Sequence, residues 1–408
     1  MVAQKGDHLF LFRDGESKMS IITQMVLPFS AGVAGNWYHT LTNSSTVNVN
    51  ALLKESSSKL CPIIHWNAIW HHRIATEIAT QIFDGLRVQE DLVQKYRKKY
   101  LRMFSTLPLK SNKSFSYYVG ACSLDAITKN YDKTNLERLH SITEKLVCDG
   151  CFMEGTHYSI YCADTIGRAF SLLDQFYGED EVWILIKESI DLLTHWQRRV
   201  GNTEGVVASI GDSWYEKVEP TDEEGIYDYF DMTIHRVAKW VIIQNHRRSN
   251  FALHEHPHLD EVLIAHDDKW IVQGSGMPSY KQVMAKPLKW RRPRNHFISE
   301  GVYDLPWLWR LRKKEKRSRS VVTNENVIRI IDSGYKTIRW PIDDGARYIN
   351  TGNKVEWVYN GCKFICSGEI DGTQEDFAYQ SVRYREEKKL RVVRIQGKNL
   401  QTSVEPCL

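Results

Sequence analysis

The chain has 408 residues, 42% of them hydrophobic and 25% charged. That length exceeds one ordinary domain and suggests two, and that balance excludes a disordered or fibrous protein in favour of a globular, soluble one. Fifty-four Lys and Arg against 50 Asp and Glu leave a formal net charge of +4, too small an excess to point to nucleic acid, yet sufficient for a polyanion if the positive charge gathers in a groove.

In chain order, residues 19–35 are mildly apolar and end in Ala31-Gly32-Val33-Ala34-Gly35, but they follow Asp14 and Glu16 and contain Gln24 and Pro28. A signal peptide fits them poorly, and no stretch is apolar for long enough to span a membrane. Export is unsupported and localisation stays open. From about 68 to 198 the pattern is helical. Ile74, Ile78 and Ile82 recur at four-residue spacing beside Ala75 and Ala79, and Leu92, Tyr96, Tyr100 and Met103 continue the stripe. Further helices are predicted over 117–130, 134–148, 157–178 and 181–198, joined by short links such as Tyr177-Gly178-Glu179-Asp180, which implies antiparallel neighbours.

After about 225 the texture becomes strand-like. Runs at Val237–Ile243, Glu261–Ala265, Lys269–Val272, Val327–Ile331, Thr337–Trp340, Lys354–Tyr359, Lys363–Ser367 and Leu390–Gln396 are separated by turn signals at Asp267-Asp268, Asp343-Asp344-Gly345, Asn360-Gly361 and Asp371-Gly372. Helices first and strands second predict an α+β chain of two domains, 1–220 and 225–408. The basic run Arg310–Arg319 reads as a solvated loop that a polyanion would also suit.

The cysteines (Cys61, Cys122, Cys148, Cys151, Cys162, Cys362, Cys366 and Cys407) form no dense disulfide framework. Cys148-x-x-Cys151 has no second pair at zinc spacing, so it reads as a turn at a helix end. Among 13 Trp and 19 Tyr, most serve as large core residues; some would suit a carbohydrate cleft, where a flat ring packs on a sugar face.

Four stretches carry candidate chemistry. His65-Trp66-Asn67-Ala68-Ile69-Trp70-His71-His72-Arg73 opens the first long helix, where polar groups and the helix dipole can face an anion. Asp149-Gly150-Cys151-Phe152-Met153-Glu154-Gly155-Thr156-His157-Tyr158 crowds Gly, acid and aromatics between two helices. Ile210-Gly211-Asp212-Ser213-Trp214-Tyr215 reads as a turn between the halves. His254, His256 and His258 alternate, so on a strand they converge on one face; three such rings are hard to explain as core filling. Trp270–Gly276 and Arg294-Asn295-His296 follow.

Taken in this order, over residues 65 to 300, these motifs resemble those of the heparinase II/III-like polysaccharide lyases. The resemblance implies an incomplete (α/α) toroid followed by a C-terminal antiparallel β-sandwich. It further implies β-elimination on an acidic, uronic-acid-containing polysaccharide. Matched position by position, it makes Tyr158, His72 and His256 catalytic and gives His71, Asn67, Arg73 and Glu154 to the substrate. His258 and His296 match two zinc-binding positions. Two departures stand out: the family's carboxylate-holding Asn is His71 here, unless Asn67 serves, and the Asp that completes the zinc site is replaced at Gln273-Gly274. A tetrahedral site is then one protein ligand short, so no cofactor is required and zinc would be structural. Fewer helices precede the first motif than the family usually has.

In the implied reaction Tyr158 acts as acid, and as base for one stereochemistry, with His72 or His256 as the alternative base. Two alternatives stay open: a uronyl C5-epimerase, which returns the proton, and a catalytically degenerate glycan-binding or biosynthesis-accessory protein. The particular polysaccharide and the oligomeric state are not legible.

Overall fold

The computed structural model describes residues 49–50, 53, 68–104, 111–211, 213, 216–229, 232–245, 261–274, 301–302, 318–324, 326–383 and 386–407. These fall into two compact units, one within 1–147 and 160–193 and the other within 148–159 and 194–408.

The first unit is helical. It holds α1 (Ala68–Phe83), α2 (Glu90–Phe104), α3 (Asn112–Ile127) and α4 (Thr134–Leu146), the greater part of α5 (Thr156–Tyr177), and α6 (Glu181–Arg199) as far as Leu193. The four-residue spacing read in the sequence is the buried stripe of α1: Ile74, Ala75, Ile78 and Ala79 are fully inaccessible. Helix α3 is buried around almost its whole circumference. Its serines are accommodated because Ser116 Oγ donates to the Asn112 carbonyl and Ser123 Oγ to that of Val119. Helix α1 approaches α3 closely at Gly120, where a Cβ would lie 2.7 Å from the Tyr100 hydroxyl and 3.3 Å from the His72 carbonyl. The buried Asp125 carboxylate receives Arg97 at 2.5 Å and Asn135 at 2.7 Å, so that one acid ties α2, α3 and α4 together.

The second unit is built on antiparallel sheets. A two-stranded hairpin, β1 (Val147–Cys148) and β2 (Cys151–Phe152), turns through Asp149 and Gly150, both at positive φ. The Cys-x-x-Cys spacing is therefore that of a tight hairpin. One larger sheet runs in the order β3 (Gly225–Tyr229), β4 (Met232–Val237), β5 (Trp240–Asn245), β6 (Glu261–His266) and β7 (Lys269–Val272). The other comprises β8 (Gly301–Val302), β9 (Ser318–Thr323), β10 (Ile328–Ile342), β11 (Ile349–Asn350), β12 (Lys354–Tyr359), β13 (Cys362–Arg383) and β14 (Glu386–Pro406). Its order is β11-β12-β13-β14-β10-β8, with β9 also paired to β10. Trp240, Ile242, Val262 and Ile264 from the first of these sheets join Trp340, Trp357, Phe364, Val392 and Ile395 from the second in one hydrophobic core. Helices thus precede antiparallel sheets, as the change in periodicity predicts.

Three local readings need correction. The run Val237–Ile243 is the end of β4, a turn and most of β5, because Ala238 takes a positive φ of 51° without the Gly or Asn that normally announces it. Val327–Ile331, from Ile328 onward, and Thr337–Trp340 belong to one strand, β10, whose pairing to β14 shifts register between Asp332 and Tyr335. Asp371-Gly372 lies inside β13 at a register shift, not at a chain reversal. The basic run also changes character at its end. Arg319 is fully buried, with Nε and a terminal nitrogen donating to the two Asp332 carboxylate oxygens at 2.8 and 3.0 Å. Residues 303–317 lie outside the described part.

Candidate functional site

Two groups of candidate residues are described, one in each unit. In the first unit, His71, His72 and Arg73 lie in the first turns of α1. His72 has no accessible surface. Its Nδ1 lies 2.8 Å from the Tyr100 hydroxyl, which donates to the Tyr117 carbonyl at 3.2 Å. The Tyr100 hydroxyl thus bridges the His72 ring and the Tyr117 carbonyl, the direction of the His72 contact following the imidazole tautomer. Burial above all, then the neighbouring His71 and Lys113, hold the His72 pKa well below its ordinary value. His71 is partly buried, and desolvation lowers its pKa from 6.5 to about 4, leaving it uncharged at neutral pH. Arg73 forms an ion pair with Asp164 at 3.3 Å and lies 4.3 Å over the Tyr161 ring. The positive charge that the sequence offers to a substrate is already engaged.

In the second unit, the start of α5 is locked against the strand-like segment 206–211. Gly155 and Gly211 form a β-bridge, the Thr156 amide donates to the Ile210 carbonyl at 3.1 Å, and the Thr156 hydroxyl donates to the Ala208 carbonyl at 2.7 Å. Gly155 has φ of +94°, and a Cβ there would strike the Ile210 carbonyl oxygen; only glycine fits this approach. Glu154 is fully buried just before the helix, and Tyr158 is 8% exposed on its first turn. His157 and Tyr158 meet edge to face with ring centroids 5.0 Å apart. The His157 Nδ1 lies 2.9 Å from Glu216 Oε1.

The segment 206–211 is itself held from β7. The Gln273 side-chain oxygen accepts from the Ser209 amide at 2.7 Å and from the Gly274 amide at 3.2 Å, while its nitrogen donates to the Val207 carbonyl at 3.4 Å. Gln273, which stands near the resembling lyases' zinc-binding Asp, is thus a backbone clamp and does not fit a metal-ligand role. Among the described residues no group of three His, Cys, Asp or Glu could hold a metal.

Asn67, His256, His258 and His296 lie outside the described residues. The structure brings Tyr158 together with His157 and Glu216, and His72 with Tyr100 and Tyr117. Sequence reasoning gave no role to His157 or Glu216 and read Gln273 only as the replacement of a zinc-binding Asp. The Tyr158 motif carried the first of these in plain view, but Glu216 and Gln273 reach their partners across 59 and 64 residues, a pairing with no local signature. No helix among the described residues is long and apolar enough to cross a membrane.

Scanned against protein-family models and curated proteins, the sequence matches none. Solved structures do match its fold. Heparan sulfate lyase HepC from Pedobacter heparinus aligns over 93% of this chain and 73% of its own, with TM-score 0.58 and 12% identity. A mutant of that enzyme aligns over 92% and 72%, with TM-score 0.60 and 11% identity. A heparinase III, the BT4657 gene product, aligns over 92% and 74%, with TM-score 0.57 and 11% identity. Through nearly its whole length, this chain has a fold similar to that of heparan sulfate lyases.

Proposed function

We propose that this protein is a polysaccharide lyase that cleaves an acidic, uronic-acid-containing polysaccharide by β-elimination. The observation that carries this reading is the fold similarity to heparan sulfate lyases over 92–93% of the chain, joined to the ordered motifs in the sequence. In this reading α1 to α6 are part of an incomplete (α/α) toroid, the sheets form the sandwich domain, and the domain boundary lies between 220 and 225. Fold alone does not fix chemistry; the residues must supply it.

Elimination removes the weakly acidic proton at C5 of the uronate and expels the oxygen on C4. Tyr158, held on the first turn of α5 beside a locked backbone, protonates the leaving oxygen and takes the C5 proton where stereochemistry allows. His256 is the second candidate base. His72 is sealed from solvent and bonded to Tyr100 between α1 and α3, so we assign it to holding these helices in place. Glu154 supports the Tyr158 loop from inside. No step passes through zinc.

The test is a panel of heparan sulfate, heparin, hyaluronan, chondroitin and alginate, followed by the ultraviolet absorbance of the unsaturated uronate product. We expect a rise with at least one substrate and its abolition in Tyr158→Phe, whose circular dichroism and melting temperature match the parent. Full activity in Tyr158→Phe would remove that residue from the mechanism. Loss of the C5 proton to solvent deuterium without absorbance would instead identify a C5-epimerase. A second reading, glycan binding without turnover, draws on the neutral His71 and the sealed His72; binding without absorbance or exchange would select it.

A further inference from the structure

An aromatic ring can hold a sugar when protein backs one of its faces and the other stays open, because a pyranose presents an apolar C–H face rimmed by hydroxyls. In the helical unit Tyr131 meets both conditions. It is 73% exposed, more than any other large hydrophobic side chain among the described residues. Its ring stacks on that of Phe176, with centroids 5.0 Å apart and planes inclined by 20°.

We propose that Tyr131, backed by Phe176, is a non-catalytic subsite that stacks on a sugar ring of the polysaccharide, away from the candidate residues at the start of α1. The inference takes its ligand from the lyase reading and adds a second hold on the polymer. The ring is presented by a fixed loop between α3 and α4. On one side, the Asn130 amide donates to the Asp125 carbonyl at 2.9 Å and its side chain to the Asp125 carboxylate at 3.3 Å. On the other, Asp132 accepts from the Thr134 amide at 3.0 Å and from its hydroxyl at 2.7 Å. Lys133 pairs with Asp180, fastening this loop to the one between α5 and α6. Phe176 in turn meets the buried Tyr177 edge to face. Little conformational freedom around the ring is left to lose on binding.

The surroundings select the occupant. Lys129, Asp132, Lys133 and Thr134 are all exposed around the ring, whereas the centre of a protein–protein contact is depleted of charged groups. One apolar face within a hydrogen-bonding rim matches a sugar. Lys129 and Asp132 carry opposite charges and Lys133 is answered by Asp180, so stacking, and not attraction to carboxylates, supplies the affinity here.

The subsite also has a defined place in the helical unit. Arg73 and Glu77 of α1 pair with Asp164 and Arg168 of α5 in the same order, so these two helices run in one direction. Ile82 and Ile127, near the ends of α1 and α3, line one groove of about 390 Å³, so α3 ends on the same side. Tyr131 follows the end of α3 and Phe176 stands at the end of α5, opposite His71 and Arg73 at the start of α1. Asp164, the partner of Arg73, and Phe176 are about 18 Å apart along α5. Only a polymer reaches both ends.

Affinity electrophoresis of the full chain in native gels containing heparan sulfate, hyaluronan or alginate tests this. At least one polymer should retard the parent, and Tyr131→Ala should weaken that affinity about three- to tenfold. The ratio between parent and variant should be the same at low and high salt. Tyr131→Phe, which keeps the flat face, should bind like the parent. Phe176→Leu, which removes the flat backing, should lose part of the affinity and replaces Tyr131→Ala should that variant unfold by circular dichroism. Turnover of a uronate-containing tetrasaccharide should be unchanged in Tyr131→Ala. Undiminished polymer affinity in Tyr131→Ala, equal loss in Tyr131→Phe, or a parent that no polymer retards would each overturn the subsite. Elimination on the substrate panel would leave the lyase reading standing in those cases. Retardation that depends on Tyr131, with no elimination on the panel, would overturn the lyase reading and keep the subsite.

Discussion

Desolvation keeps the proton off His71, and the linkage between protonation and folding turns that into a stability slope. The ring titrates at about 4 in the folded chain against 6.5 in the unfolded one. Between those values the unfolded state binds a proton that the native state refuses, so stability is full above pH 6.5 and falls as pH drops toward 4. At pH 5 the loss amounts to about 2 kcal/mol, and His72 acts in the same direction. Urea unfolding should show a lower midpoint at pH 5 than at pH 7, and His71→Asn should flatten part of that difference. An unchanged pH dependence in that variant would mean that folding leaves the His71 pKa where it lies in the unfolded chain. Tyr158 and His71 could be picked out as candidates one residue at a time, because each stands among telling neighbours within a few positions. Their electrostatic states could not be, since burial of His71 and the pairing of Arg73 with Asp164, 91 residues away, arise only when helices assemble.

At the scale of elements, the clearest test is Gly155. A side chain there meets both a positive φ and the Ile210 carbonyl, so Gly155→Ala should cost on the order of 3 kcal/mol. Thermal unfolding should register the loss. An alanine variant that melts like the parent would show that the contact between α5 and segment 206–211 yields without strain. The helices could be read from Ile74, Ile78 and their buried neighbours because helical periodicity is a local property. Strand boundaries were harder. Ala238 turns the chain with a residue that carries no turn signal, while Asp371-Gly372 carries a strong one inside β13. Gly and Asp favour bulges and hairpin turns for the same conformational reason, so composition at these sites cannot say which of the two will form. Arg236 is similarly opaque in sequence. It lies inside β4, buried, and donates to the carbonyls of Arg199, Gly201, Thr221 and Glu223, thereby fastening the connection between α6 and β3.

For the molecule as a whole, most strands of the sheet-bearing unit pair with their neighbours in sequence, but β10 pairs with β14, from Ile328 against Val404 to Ile342 against Arg391, and such long-range pairing forms slowly and admits misregistered alternatives. Arg319 and Asp332 bear on that problem. They face each other in register across β9 and β10, with both side chains sealed from water. A slip of one residue would turn Arg319 to the opposite face of the sheet, and a slip of two would set it against Ile330 or Gly334. Either leaves two buried charges without each other. Asp332→Leu alone should therefore cost about 3–5 kcal/mol, whereas Arg319→Met combined with Asp332→Leu is expected near the parent's equilibrium stability. Refolding kinetics should separate the two roles: the double variant should show added slow phases from chains that paired wrongly and had to reopen. Single-phase refolding at the parental rate would deny the pair this part. On this view a cation at the end of a basic run, which looks in sequence like solvent-facing charge, works as an error detector for the sheet, rejecting wrong assemblies by the energy of an unanswered charge.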